Sequence, residues 1–207
     1  MTKFLQEKGR RLVKHISISG AVAAGKSTML GRIMARLGDR AVAHEERPQD
    51  NPFIRSYYAD SRRWSFHSQM TFLALYFDSQ AWRAEDKEYC IFDRCLIENL
   101  VLARYRLNEG DLTAEEFAVI EKMARGIESL MPPVNKYIFL DCSVELLTRR
   151  LRERGRDYEG ALGEEYARKL KALYDQWIAT LPQDRLLIIH QDEGEADMDK
   201  VMRFIES

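Results

Sequence analysis

The sequence predicts an α/β fold in three layers, a five-stranded parallel sheet with helices on both faces. Three observations predict it. Short apolar runs alternate with longer amphipathic ones, as strands alternate with crossover helices. The short runs are nearly continuous in apolar residues, which suits a sheet covered on both sides. The residues that carry chemistry fall just after those runs, at the edge where such sheets hold ligands.

The first strand is read at 12–18 (LVKHISI), and a glycine-rich turn follows it. Residues 27–37 read as a helix stopped by Gly38. Ala41 to Ala43 is a short apolar strand leading to Glu45 and Glu46, and 47–52 (RPQDNP) is loop by composition. An aromatic-rich helix is expected from about Ser61 to Trp82. The third strand is 89–93 (YCIFD). Helices near 95–107 and 113–130 follow, the second ended by Pro132 and Pro133. The fourth strand is 136–142, followed by a basic helix at 143–154 and a break at Gly155. A long amphipathic helix at 163–180, a fifth strand at 185–190 and a terminal helix at 196–206 complete the pattern. There is no internal repeat.

With 207 residues, 45% hydrophobic and 31% charged, the chain fits one domain spanning 1–207. The formal net charge of −1 argues against a nucleic-acid surface, whereas a small polyanion needs only a local cluster of Lys and Arg. Cys90, Cys95 and Cys142 are odd in number, lack metal-like spacing and read as reduced thiols in a cytoplasmic protein. The first residues are basic without a long apolar stretch, so neither a signal peptide nor a membrane span is expected.

Gly20-Ala21-Val22-Ala23-Ala24-Gly25-Lys26-Ser27 matches the P-loop pattern G-x-x-x-x-G-K-[ST] in full, with Thr28 next. A loop that wraps phosphate with backbone N–H groups needs glycine at its ends. The helix that follows aims its positive end at the anion. Lys26 is expected to reach the β- and γ-phosphates, and the Ser27 hydroxyl to ligate Mg²⁺. ATP with Mg²⁺ is the expected ligand.

Further motifs occur in order. They are Glu46, Asn51-Pro52, Tyr57-Tyr58, Arg63-Trp64, Gln69, Asp93-Arg94-Cys95 and Arg150-x3-Arg154-Gly155-Arg156. Over roughly residues 14 to 178 the chain resembles the deoxynucleoside kinases, especially the bacterial deoxyadenosine/deoxyguanosine branch. The resemblance implies transfer of the ATP γ-phosphoryl group to a deoxynucleoside 5′-hydroxyl in nucleotide salvage, and a homodimer. It makes Glu46 the general base, and Glu45 is the adjacent competitor. Glu46 is preferred because its spacing to Asn51-Pro52 then needs no gap. Arg94 would orient that base and stabilise the transferring phosphoryl group, and Asp93 would help hold Mg²⁺. Arg150, Arg154 and Arg156 match the arginine lid, about 150–160. Tyr58 and Glu159 fall where the family binds the sugar 3′-hydroxyl, and Gln69 where it binds the base. Arg149 and Arg152 read as a solvated basic face.

Cys95 replaces the family's usual serine, and Arg47 intervenes where the family has Glu-Pro; two further positions depart in the base pocket. Tyr76 stands in place of a base-binding arginine and Asn99 in place of its aspartate partner. An ion pair has become a neutral pair, and changing both members avoids stranding a buried charge. The base preference therefore does not carry over. Two other readings stay open: a P-loop kinase of another small acceptor, such as a nucleoside monophosphate or other alcohol, and a non-catalytic ATP-binding regulatory module. The helices at 95–107 and 113–130 have apolar faces that suit either a core or a dimer interface. The four histidines are scattered and carry no assigned role.

Overall fold

The computed structural model describes residues 13–79, 86–155 and 162–207. Its five strands are β1 (Lys14–Ser19), β2 (Ala41–His44), β3 (Tyr89–Asp93), β4 (Lys136–Asp141) and β5 (Leu186–His190). They form one sheet in the order β2-β3-β1-β4-β5, and every pairing is parallel. The expected fold class is therefore the observed one.

The helices are α1 (Lys26–Leu37), α2 (Ile54–Ala59), α3 (Ser61–Asp78), α4 (Asn99–Asn108), α5 (Ala114–Glu128), α6 (Val144–Arg154), α7 (Glu164–Ile178) and α8 (Met198–Glu206). The short α2 was not expected. α3 ends at Asp78 rather than near Trp82, and residues 80–85 lie outside the described set. A 3₁₀ turn over Leu96–Glu98 precedes α4, so that helix starts four residues later than the expected position 95. Within the expected loop 47–52, Pro48–Asp50 form a 3₁₀ turn. Thr113 and Glu116 close a reciprocal capping box on α5, which fixes its start.

Alternation along β3 creates the layers. Tyr89 and Ile91 join a cluster with Ile16, Ile18, Ile33, Leu170, Tyr174 and Val201, which draws in α1, α7 and α8. Cys90 and Phe92 join Leu73, Tyr76, Leu100, Phe117 and Ile120, from α3, α4 and α5. Polar residues of β1 share this second side: His15 stacks on Phe92 at 5.7 Å, and the Ser17 and Ser19 hydroxyls bond each other at 2.9 Å. The three cysteines are buried thiols, as expected.

The parallel register sets the carboxyl ends of the strands along one edge. Ile18 pairs with Asp93, and Ser19 with Phe139. β1 lies between β3 and β4, so the chain leaves the centre of the sheet at Gly20, the point where strand order reverses.

Burial pushes the His15 imidazole down to about 4, against an ordinary 6.5. Between those two values the unfolded chain binds a proton that the native state does not. His15 should therefore make the protein less stable as pH falls through that window. In thermal melts, His15→Phe should flatten the fall of Tm between pH 6.5 and 4 relative to wild type.

Candidate active site

The loop after β1 has the backbone its glycines foretell. Gly20 lies at φ +149 and Gly25 at φ +99, and Ala23 also takes a left-handed conformation at φ +68. A Cβ on Gly20 would come within 2.9 Å of the Leu140 carbonyl oxygen, so the close approach to β4 also demands glycine. The loop and α1 border a cavity of about 1050 Å³. Val22, Ala23, Gly25, Lys26, Ser27 and Thr28 line it. Gly20, Ala21 and Ala24 form the back of the loop instead: the Gly20 N–H donates to Glu98 Oε1 at 3.1 Å, and Ala24 is buried.

Lys26 borders the cavity with its ammonium folded back on the loop. Its ammonium caps the carbonyl oxygens of Gly20 at 3.0 Å and Ala21 at 3.1 Å. Burial, then the Arg94 charge, lower its pKa. Ser27 Oγ donates to Asp93 Oδ2 at 2.8 Å, while Asp93 Oδ1 is buried with no hydrogen-bond partner. An orphan carboxylate oxygen beside a hydroxyl suits a hard, oxygen-seeking cation such as Mg²⁺. Among the described residues no group of three or more His, Cys, Asp or Glu could hold a metal. Such a cation would thus complete its shell with phosphate oxygens and water.

Arg94 leaves the end of β3 in a left-handed conformation, φ +78, which is uncommon for a non-glycine residue. Its N–H still pairs with the Ile18 carbonyl at 2.9 Å, so the turn begins immediately beyond the sheet. The buried guanidinium donates through Nε to Glu46 Oε2 at 3.1 Å and through Nη1 to Glu98 Oε1 at 3.1 Å and to the Tyr174 hydroxyl. Burial opposes its charge, but Glu46, Tyr174 and Glu98 hold it protonated. Burial would likewise raise the Glu46 pKa; Arg94 and Lys26 outweigh it and hold the carboxylate below its ordinary range. Glu46 borders the cavity, whereas Glu45 borders only an adjoining recess of about 480 Å³.

The Asn51-Pro52 motif has a structural job. Asn51 Nδ2 donates to the Ser68 carbonyl and hydroxyl, each at 3.1 Å, and its Oδ1 accepts from the Phe53 N–H at 3.0 Å. That ties the loop carrying Glu46 to α3 beside Gln69. Gln69 and Tyr58 line the large cavity, together with Tyr57. Tyr57 is anchored from behind by Arg106, which also pairs with Asp111 at 3.0 Å.

Tyr76 and Asn99 line the recess, which shares Glu46, Phe72, Asp93 and Arg94 with the cavity. The polar head of Asn99 is engaged elsewhere than with Tyr76: Asn99 Nδ2 donates to the Leu96 carbonyl at 3.1 Å. Tyr76 stacks on Phe92 and meets the edge of His44, contacts that an arginine would not make in the same way. The Asn99 Oδ1 and Gln69 Oε1 atoms are buried without partners.

Arg150 crosses over the loop and donates to the Ala24 carbonyl at 2.9 Å. Arg150 and Arg154 line the cavity, and so does Arg149, which is exposed as expected and borders the cavity from the solvent side. Arg156 and Glu159 lie outside the described residues. The sequence reading missed Glu98 and Tyr174. The available signal for Glu98 was an acid four residues after Arg94 in an otherwise apolar stretch.

A P-loop opening on the Ser27–Asp93 pair, with a carboxylate and an arginine across one cavity, suits phosphoryl transfer. The chain belongs to the deoxynucleoside kinase family, whose model matches residues 16–207. Family members are ATP-dependent phosphotransferases acting on deoxynucleosides, and this chain is one of them. It is 28% identical over 167 residues to the deoxyadenosine/deoxycytidine kinase of Bacillus subtilis, covering 79% of this chain and 76% of that one. It is 26% identical over 202 residues to the deoxyguanosine kinase of Lactobacillus acidophilus, covering 90% and 87%. The fold matches the deoxyadenosine kinase of M. mycoides with bound dATP at a TM-score of 0.78, with 24% identity, covering 93% of this chain and 100% of the other.

Gly20→Ala tests the loop. Forcing a Cβ toward Leu140 at φ +149 strains a backbone that has no room to yield. With about 1–3 kcal/mol of strain at stake, affinity for a non-hydrolysable ATP analogue should fall roughly tenfold or more in calorimetric titrations.

Proposed function

We propose that this chain is a deoxynucleoside 5′-kinase in which Glu46 takes the proton of the acceptor hydroxyl. The observation that carries the reading is the pairing of Glu46 with Arg94 beside Asp93 and Ser27, all on one cavity. ATP would lie with its phosphates in the loop Gly20–Thr28, embraced by Lys26 and by the lid arginines Arg150, Arg154 and Arg156. Ser27 and Asp93 would hold Mg²⁺, which supplies charge neutralisation on the phosphates. Arg94 holds Glu46 ionised and oriented, and presents positive charge where the phosphoryl group crosses. Tyr58 and Glu159 would hold the sugar 3′-hydroxyl. Gln69 would read the base edge, with Tyr76 and Asn99 shaping the adjoining recess.

The resemblance supports a role in nucleotide salvage, a cytoplasmic location and a homodimer of this single kinase domain. Among the described residues no helix is long and apolar enough to cross a membrane. The relatives named above differ in the base they take, so preference is measured directly, by transfer to each of the deoxynucleosides.

Glu46→Gln keeps the shape of the side chain and loses the proton acceptor. It should lower kcat by about 10²–10⁴ while ATP-analogue affinity stays near wild type. Retained turnover would sink the assignment of the base. Because Arg94 and Lys26 hold the Glu46 carboxylate below its ordinary range, it stays ionised through neutrality and into mild acid. The kcat of the wild type should therefore be flat from about pH 8 to about pH 5, with its acid limb below that.

A further inference from the structure

We propose that Glu98 is a positioning residue that couples the start of the phosphate loop to the Arg94–Glu46 pair; the coupling rests on the kinase reading above. Glu98 is fully buried and lines neither the cavity nor the recess, so it touches no substrate. One of its oxygens gathers three donors. Oε1 accepts from the Gly20 N–H at 3.1 Å, from Arg94 Nη1 at 3.1 Å and from the Tyr174 hydroxyl at 2.8 Å. Tyr174 in turn accepts from Arg94 Nη1. Oε2 is buried without a partner.

A carboxylate with an orphan oxygen in the core is a costly placement, opposed by its pairing with Arg94. The geometry also serves position. Gly20 opens the loop, and its N–H is turned away from the cavity to reach Glu98. Arg94 is gripped at Nη1 by Glu98 and at Nε by Glu46 Oε2, 3.1 Å away. These bonds leave Nη2 outside the set, on a residue that borders both cavity and recess. The line Gly20–Glu98–Arg94–Glu46 thus joins the donor half of the site to the acceptor half through side chains that are themselves immobilised by burial. Tyr174 comes from α7 and pins the junction to the opposite side of the sheet from Phe92.

Two substitutions separate the two arms. Glu98→Gln keeps an oxygen for Gly20 and Tyr174 and removes the charge facing Arg94. Glu98→Ala removes both. Glu98→Gln should lower kcat about tenfold with ATP-analogue affinity unchanged, and Glu98→Ala should lower kcat further and weaken that affinity severalfold. Because Glu98 acts through Arg94, adding Arg94→Lys to Glu98→Gln should cost little beyond the worse single change. Tyr174→Phe keeps the ring in the core and removes the shared hydroxyl. It should lower kcat non-additively with Glu98→Gln, even should Glu98→Ala fail to fold. A kcat within about twofold of wild type in Glu98→Gln, or losses that multiply with Arg94→Lys, overturns the proposal; so does a fall in Tm with no change in kcat. If the wild type phosphorylates no deoxynucleoside, the kinase reading fails on its own. ATP-analogue affinity in Glu98→Ala then still decides the link to Gly20, and unchanged affinity there overturns it.

Discussion

The site depends on one buried cation. A guanidinium at the end of β3, almost without solvent, is tenable only because carboxylates flank it on two sides. Glu46 and Glu98 supply that compensation, and each is fixed in return. The arrangement begins in the backbone: the left-handed turn at Arg94 swings its side chain back under the phosphate loop, immediately after the N–H has completed the pairing with β1. An extended residue there would continue the strand and carry the side chain away from Glu98.

Sheet order then brings the remaining groups within reach. β3 lies between β1 and β2, so Asp93 and Arg94 emerge with the phosphate loop on one side and Glu46 on the other. Ser27 at the start of α1 closes onto Asp93. Asn51 fastens the Glu46 loop to α3, which brings Gln69 alongside. Arg94 sits one residue beyond β3 and Glu46 two beyond β2, while Asp93 ends β3 and Lys26 and Ser27 open α1, so the rigidity of the sheet passes directly to these groups.

What the sequence disclosed follows the range of the interactions involved. The phosphate loop was legible because its glycines, lysine and serine act through local backbone geometry. The five strands were legible because burial on both faces leaves continuous apolar runs. Glu98 and Tyr174 were not, since their bond spans 76 residues of chain and either residue alone fits an ordinary helix. α2, with six residues, is too short to show a periodicity. The substitutions at Tyr76 and Asn99 were visible. The bond from Asn99 to the Leu96 carbonyl was not, because a main-chain partner leaves no mark in side-chain patterns. Arg149 was read as solvated, and it is exposed, but composition did not show that its exposed face borders the cavity.

Lys26 has a consequence for what the loop will accept. Its ammonium is satisfied by two carbonyl oxygens of the loop that it serves. An arriving anion must therefore displace neutral acceptors, and only a group offering several charged oxygens at once gains enough from the exchange. A lone monoanion gains little. In the proposed kinase, the latched lysine would act as a threshold that favours a polyphosphate chain over a simple anion.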